Sequence, residues 1–239
     1  MMSNTVLPLL TAESLKIQRG EGQSAKLILK GDAKCTFIIE TGQFYYLTGP
    51  SGVGKSTLLW TLARLHPLIA GILRLHDIRH TEITVARWRT EIALLPQRPV
   101  IMQGTIADNL LYPLHTFHIQ KERLKERQES LPNVETLERE LHSVGLNDLP
   151  LEREATSLSG GQQARLALIR LLLTKPKLIL ADEPTAGVDK IAADLVFNRL
   201  HQFCETGGAV IMTSHMYADR IKNAQIQLDG QGTLQLIDN

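Results

Sequence analysis

Gly49-Pro50-Ser51-Gly52-Val53-Gly54-Lys55-Ser56-Thr57 has the pattern G-x-x-x-x-G-K-[ST], residue types suited to holding a phosphate chain. Glycines let the backbone curl so that successive N–H groups face one anion, and a helix opening behind them adds partial positive charge. In such a loop Lys55 would reach the β and γ phosphates, and the Ser56 hydroxyl would ligate Mg²⁺. At ordinary residue frequencies the pattern arises by chance in about one chain of this length in a hundred. The alternative is a glycine-rich turn that binds nothing. The apolar run before the loop and the helix-like run after it argue against that.

A second cluster lies far along the chain. Leu178-Ile179-Leu180-Ala181 is an apolar run that ends in Asp182 and Glu183. A carboxylate at a strand tip can hold Mg²⁺, directly or through water. Glu183, one residue on, points elsewhere and could polarise an attacking water as general base. By themselves the two acids could equally be solvated at a strand end; beside a phosphate loop that reading loses.

The elements that must position these groups follow from the apolar pattern. Phe37-Ile38-Ile39, Phe44 to Leu47, Ile92 to Leu95, Leu178 to Ala181 and Ala209 to Met212 read as short strands. Thr48-Gly49-Pro50, Pro96, Pro176 and Gly207-Gly208 bound them. A helix opens near Lys55 and runs through Leu58, Leu62 and Leu65 until Pro67. Continuous apolar strands separated by helices indicate a buried, mostly parallel sheet in an α/β protein. Between about Arg98 and Ala167 charged helical sequence dominates, which reads as a helical subdomain inserted into the core. Its run Lys121 to Arg127 reads as a solvated helix face.

Composition limits the function classes. The chain has 239 residues, with Lys+Arg 26 against Asp+Glu 25 and 43% hydrophobic residues. That is enough for one domain with a sizeable core, and it gives no bulk charge for nucleic acid or acidic membrane. Cys35 and Cys204 lie far apart in no metal or redox spacing and read as reduced, partly buried thiols of a cytosolic protein. The richest apolar stretch, Leu166 to Leu173, is broken by Arg170 and is far short of the ~20 residues that cross a bilayer. Met1 to Leu10 lacks the basic and apolar regions of a signal peptide, so a soluble, intracellular chain is expected.

Leu158-Ser159-Gly160-Gly161-Gln162 narrows the choice. Here the sequence resembles the ATP-binding cassette (ABC) family, whose signature is Leu-Ser-Gly-Gly-Gln and precedes the acidic strand end as it does here. Physically the motif is a second anion site, with Ser159 and the Gly160 and Gly161 amides opening the helix that runs to Leu173. Alone, Ser-Gly-Gly could be an ordinary helix cap. The resemblance covers essentially the whole chain, 1–239, as a single ATP-binding domain with residues of about 98–167 as its helical subdomain. It implies a P-loop NTPase core, a mostly parallel sheet with flanking helices, preceded by an N-terminal antiparallel β portion.

The resemblance also implies roles. Gln97 looks like the glutamine that links Mg²⁺ and water to the helical subdomain. His215 looks like the switch histidine that contacts the γ-phosphate, and Asp189 matches the aspartate of the family's D-loop. The nine residues Gly49 to Thr57 would hold ATP, Asp182 would act as the Walker B aspartate, and Ser159 to Gln162 would close on the ATP of a second copy. In such proteins two cassettes pair head to tail, here most simply as a homodimer, on the inner face of a membrane beside a separate transmembrane permease. Most cassettes stack an aromatic side chain on adenine; aligning Leu15 to Gly20 with that place puts Arg19 there, and a guanidinium can lie flat on a purine. The chain reaches Asn239 soon after His215, which suggests a stand-alone cassette without a fused membrane domain. Gln103 to Pro113 resembles the corresponding segment of exporter cassettes, in particular the small ATPases of bacterial metal (iron) export systems. The rival readings are a soluble ABC ATPase on ribosomes or DNA, and a binding module with degenerate catalysis. The first predicts a second cassette, a coiled-coil insertion or a basic patch; intact Lys55, Asp182, Glu183 and His215 argue against the second. No nucleic-acid partner is expected.

Overall fold

A computed structural model describes residues 8–20, 22, 25–214 and 224–238. The strands are β1 (Pro8–Arg19), β2 (Lys26–Lys30), β3 (Phe37–Glu40), β4 (Phe44–Thr48), β5 (Ala70–Leu75), β6 (Ile78–Arg79), β7 (Ile92–Leu95), β8 (Leu178–Asp182), β9 (Ala209–Thr213), β10 (Ala224–Leu228) and β11 (Leu234–Asp238). The helices are α1 (Lys55–Leu62), α2 (Val85–Glu91), α3 (Ile106–Thr116), α4 (His118–Glu126), α5 (Val134–Ser143), α6 (Gly160–Leu173) and α7 (Lys190–Glu205). β1, β2, β3, β5 and β6 form an antiparallel sheet centred on β1. The second sheet has the order β11-β10-β4-β9-β8-β7, parallel from β10 to β7 with β11 antiparallel at its edge.

The parallel strands are apolar without interruption because both their faces are covered. Successive residues point to opposite faces. Tyr45, Leu47, Leu178, Leu180 and Ile211 therefore enter a core shared with α1 and the antiparallel sheet. Phe44, Tyr46, Ile179, Ala181 and Met212 enter a second core shared with α3, α5, α6 and α7. Two cores on one sheet make an α/β sandwich, as the sequence indicates.

Two expectations need correction. α1 ends at Leu62, short of Pro67, because Arg64 takes a left-handed conformation (φ 57°) and the N–H groups of Leu65 and His66 both turn back to the Trp60 carbonyl. The run Lys121 to Arg127 is not a uniformly solvated face, since Arg123 is 1% exposed. Its guanidinium donates to the Gln120 side chain and to the carbonyls of Thr174 and Lys175, 2.9–3.1 Å away, and lies 3.6 Å from Glu91. Capping the carbonyl end of α6 is what draws this cation inside, and burial pushes its pKa down. Cys35 and Cys204 are both free and buried, and burial pushes the Cys204 thiol up to about 12. Among the described residues no helix is long and apolar enough to cross a membrane.

Candidate functional site

The C-terminal ends of four adjacent parallel strands line up the candidate groups. In sheet order these are the phosphate loop after β4, Thr213 at the end of β9, Asp182 and Glu183 at the end of β8, and Gln97 just beyond β7. Open α/β sheets bind ligands at this edge, where loops leave the strands and helix N-termini converge.

The loop depends on two glycines. At Gly49 (φ 139°) a Cβ would stand 2.5 Å from the carbonyl oxygen of Leu228, so only glycine lets β4 leave the sheet beside β10. At Gly54 (φ 115°), the N-cap of α1, a Cβ would stand 2.5 Å from Ile28 Cγ2. The curl leaves Pro50, Ser51, Gly52 and Ser56 exposed, Thr57 half-buried and Val53 buried beneath them. Lys55 folds back over the loop, its Nζ donating to the carbonyls of Gly49 at 2.8 Å and Pro50 at 3.1 Å.

The acidic end is organised by Thr213, a residue the sequence reading did not single out. Its Oγ1 donates to Asp182 Oδ1 at 3.0 Å and accepts from the Glu183 N–H at 2.9 Å. Asp182 is 8% exposed and Thr213 1%. Glu183 is held left-handed (φ 47°), a conformation costly for a residue with a side chain and one that clusters at functional sites. That turn aims its carboxylate at Gln97, whose Nε2 donates to Glu183 Oε2 at 3.0 Å. A hydroxyl at a buried strand end was the available signal for Thr213, but its partners come from another strand. Thr213→Val leaves a buried N–H without an acceptor and a carboxylate without a donor. We expect a loss of about 1–3 kcal/mol in urea unfolding; an unchanged midpoint would show that Thr213 does not organise this end.

Asp182 Oδ2 makes no hydrogen bond among the described residues, so Asp182 and the Ser56 hydroxyl supply oxygen donors of the kind Mg²⁺ takes. Among the described residues no group of three or more His, Cys, Asp or Glu could cage a metal.

The signature residues form a separate group. Ser159 caps α6 in a reciprocal box with Gln162, Gln162 N donating to Ser159 Oγ at 3.3 Å and Ser159 N to Gln162 Oε1 at 3.0 Å. A Cβ on exposed Gly160 would meet nothing within 4 Å, and one on Gly161 would lie 3.8 Å from Val188, beside Asp189. Asp189 caps α7 by accepting from Ala192 N at 3.0 Å. Among the described residues no hydrogen bond joins this group to the phosphate loop. Arg19 is the exposed last residue of β1. His215 lies outside the described residues. A cavity of about 900 Å³ lies elsewhere, at the opposite ends of β8 and β9, and holds none of the candidate residues. Cations on its wall cap the carbonyl ends of helices, as when Arg127 donates to the Lys175 carbonyl at 3.2 Å.

Comparison with known proteins gives the family. The family profile described as ABC transporter matches residues 33–186. The Lipoprotein-releasing system ATP-binding protein LolD 2 of Rhodospirillum rubrum is 36% identical over 94% of this chain and 96% of its own. The Phosphonates import ATP-binding protein PhnC of Hydrogenovibrio crunogenus is 31% identical over 80% of this chain and 74% of its own. A solved ATP binding subunit of an ABC transporter shares the fold with a TM-score of 0.77 at 21% identity, over 96% of this chain and 90% of that one. A profile spanning most of the chain and a relative aligned almost end to end carry the same conclusion as the strand-end constellation: the chain belongs to the ABC transporter family.

Proposed function

We propose that this chain is the ATP-binding and ATP-hydrolysing subunit of an ABC transporter, working through a separate membrane permease. The observation that carries this is the juxtaposition of the Lys55 loop with Asp182, Glu183 and Gln97 along one sheet edge. In this reading the loop amides and Lys55 bind the phosphates, while Ser56, Asp182 and Gln97 hold Mg²⁺. Bound Mg²⁺ would neutralise charge on the phosphate oxygens. Glu183 takes a proton from water as the water oxygen attacks the γ-phosphorus, and the bond from that phosphorus to the β–γ bridging oxygen breaks. ADP leaves with inorganic phosphate as the other product, and His215 would contact the γ-phosphate.

Ser159, Gly160 and Asp189 are exposed, Gly161 and Gln162 half-buried, and among the described residues no hydrogen bond ties them to their own phosphate loop, which favours ATP shared head to tail with a second copy. Residues of about 98–167 act as the subdomain that moves on closure, and Gln97 reports the γ-phosphate to the permease beside it. The chain then sits on the inner face of the membrane through that partner. For cargo we propose metal export, iron included, on the resemblance of Gln103 to Pro113 to exporter segments.

The test is a pull-down of Glu183→Gln with ATP from detergent-solubilised native membranes, with mass spectrometry of what is retained. A polytopic membrane protein is the expected partner, and its relatives identify the cargo. Ribosomes or DNA-associated proteins without a membrane subunit would replace the transporter reading with a soluble ABC ATPase.

A further inference from the structure

We infer that Lys26 is a second phosphate-binding lysine of this site, supplied by the antiparallel sheet; the inference rests on the nucleotide reading above. β2 crosses the phosphate loop and touches it at two points. Ile28 fills the space beside Gly54, where a Cβ would come within 2.5 Å of its Cγ2. Two residues back, on the same face of the strand, Lys26 Nζ donates to the Gly52 carbonyl at 3.2 Å. Two ammonium groups therefore rest on carbonyls of one loop, Lys26 on Gly52 and Lys55 on Gly49 and Pro50. Neither lysine has a carboxylate partner among the described residues.

A second observation points to an anion here. Arg19 and Lys26 are directly paired across β1 and β2. Opposite residues of antiparallel strands share a face with Cβ atoms ~5 Å apart, and like charges so placed repel. An anion bound between them and the loop relieves that repulsion. A phosphate oxygen is also a better acceptor for an ammonium than a carbonyl, because it carries negative charge and adds Coulomb attraction to the hydrogen bond. On binding, the Lys26 ammonium moves from the Gly52 carbonyl to the phosphate chain. The ligand class is a nucleoside di- or triphosphate, recognised at this point by its phosphates and not by its base.

Isothermal titration of the full chain with ATP, and separately with inorganic tripolyphosphate, tests this. Lys26→Met should weaken both ligands about tenfold, Lys26→Arg should restore most of the loss, and the melting temperature without ligand should not move. Native affinity for ATP in Lys26→Met overturns the inference. Weakened ATP binding with unchanged tripolyphosphate binding also overturns it, since Lys26 would then read the nucleoside. A fall in ligand-free melting temperature with no rescue by arginine overturns it in favour of a loop staple. Lys55→Ala is the control: if the native chain and Lys55→Ala bind ATP equally, the nucleotide reading itself fails, and the inference with it. If Lys55→Ala loses ATP while Lys26→Met keeps it, only the inference fails.

Discussion

Glu183→Gln binds ATP with native affinity and hydrolyses it roughly 100- to 10,000-fold more slowly, the range for loss of a positioned general base. The amide is nearly isosteric with the carboxylate, so the local geometry survives. The Glu183 N–H still donates to Thr213 Oγ1, and the side chain still offers Gln97 Nε2 an oxygen, now at the distance of 3.0 Å seen for the carboxylate. What disappears is the basic oxygen that takes the proton from water. If ATP closes the proposed head-to-tail pair and hydrolysis reopens it, ATP should trap this variant as a dimer. Gel filtration with ATP then reports twice the 26.6 kDa protomer mass. Undiminished phosphate release would remove Glu183 as the base, whatever the oligomeric state.

Lys55→Ala loses ATP affinity by about 100-fold or more, ~2.7 kcal/mol. The ammonium rests 2.8 Å from the Gly49 carbonyl and 3.1 Å from that of Pro50, above the amides that would face the phosphates. Deleting it removes the compact positive charge opposite the β and γ phosphates. The half-buried and exposed carbonyls it leaves can be hydrated, so the melting temperature without nucleotide should change little. Titration calorimetry separates the two quantities. Normal ATP affinity in a folded Lys55→Ala protein would overturn the phosphate-loop assignment.

The largest-effect residues were legible because their chemistry is local. A phosphate loop needs its glycines, lysine and hydroxyl in consecutive positions after a strand, and an acidic strand end needs its two carboxylates side by side. The parallel core was legible for a related reason: strands buried on both faces read as unbroken apolar runs, as β8 and β9 do. β1, β2, β5, β6, β10 and β11 were not delimited from the sequence. They are partly exposed, and they gain their identity from pairing across long separations, such as Leu10 with Leu75 and Ala224 with Tyr45. α1 was read too long because apolar spacing continues through Leu65, while the left-handed turn at Arg64 stops the helix.

By itself the sequence determined the phosphate loop, the acidic strand end, the signature and the α/β class, since each is a run of adjacent residues with one stereochemical use. Tertiary structure alone decided that Thr213 joins Asp182 to Glu183, that Gln97 meets Glu183, that Arg123 goes inside and that Lys26 reaches Gly52. Those contacts link residues separated by 26 to 86 positions or depend on which helix ends need capping. Spacing along a chain carries no record of them, because sheet order and strand register bring such residues within hydrogen-bond reach only after the core has packed.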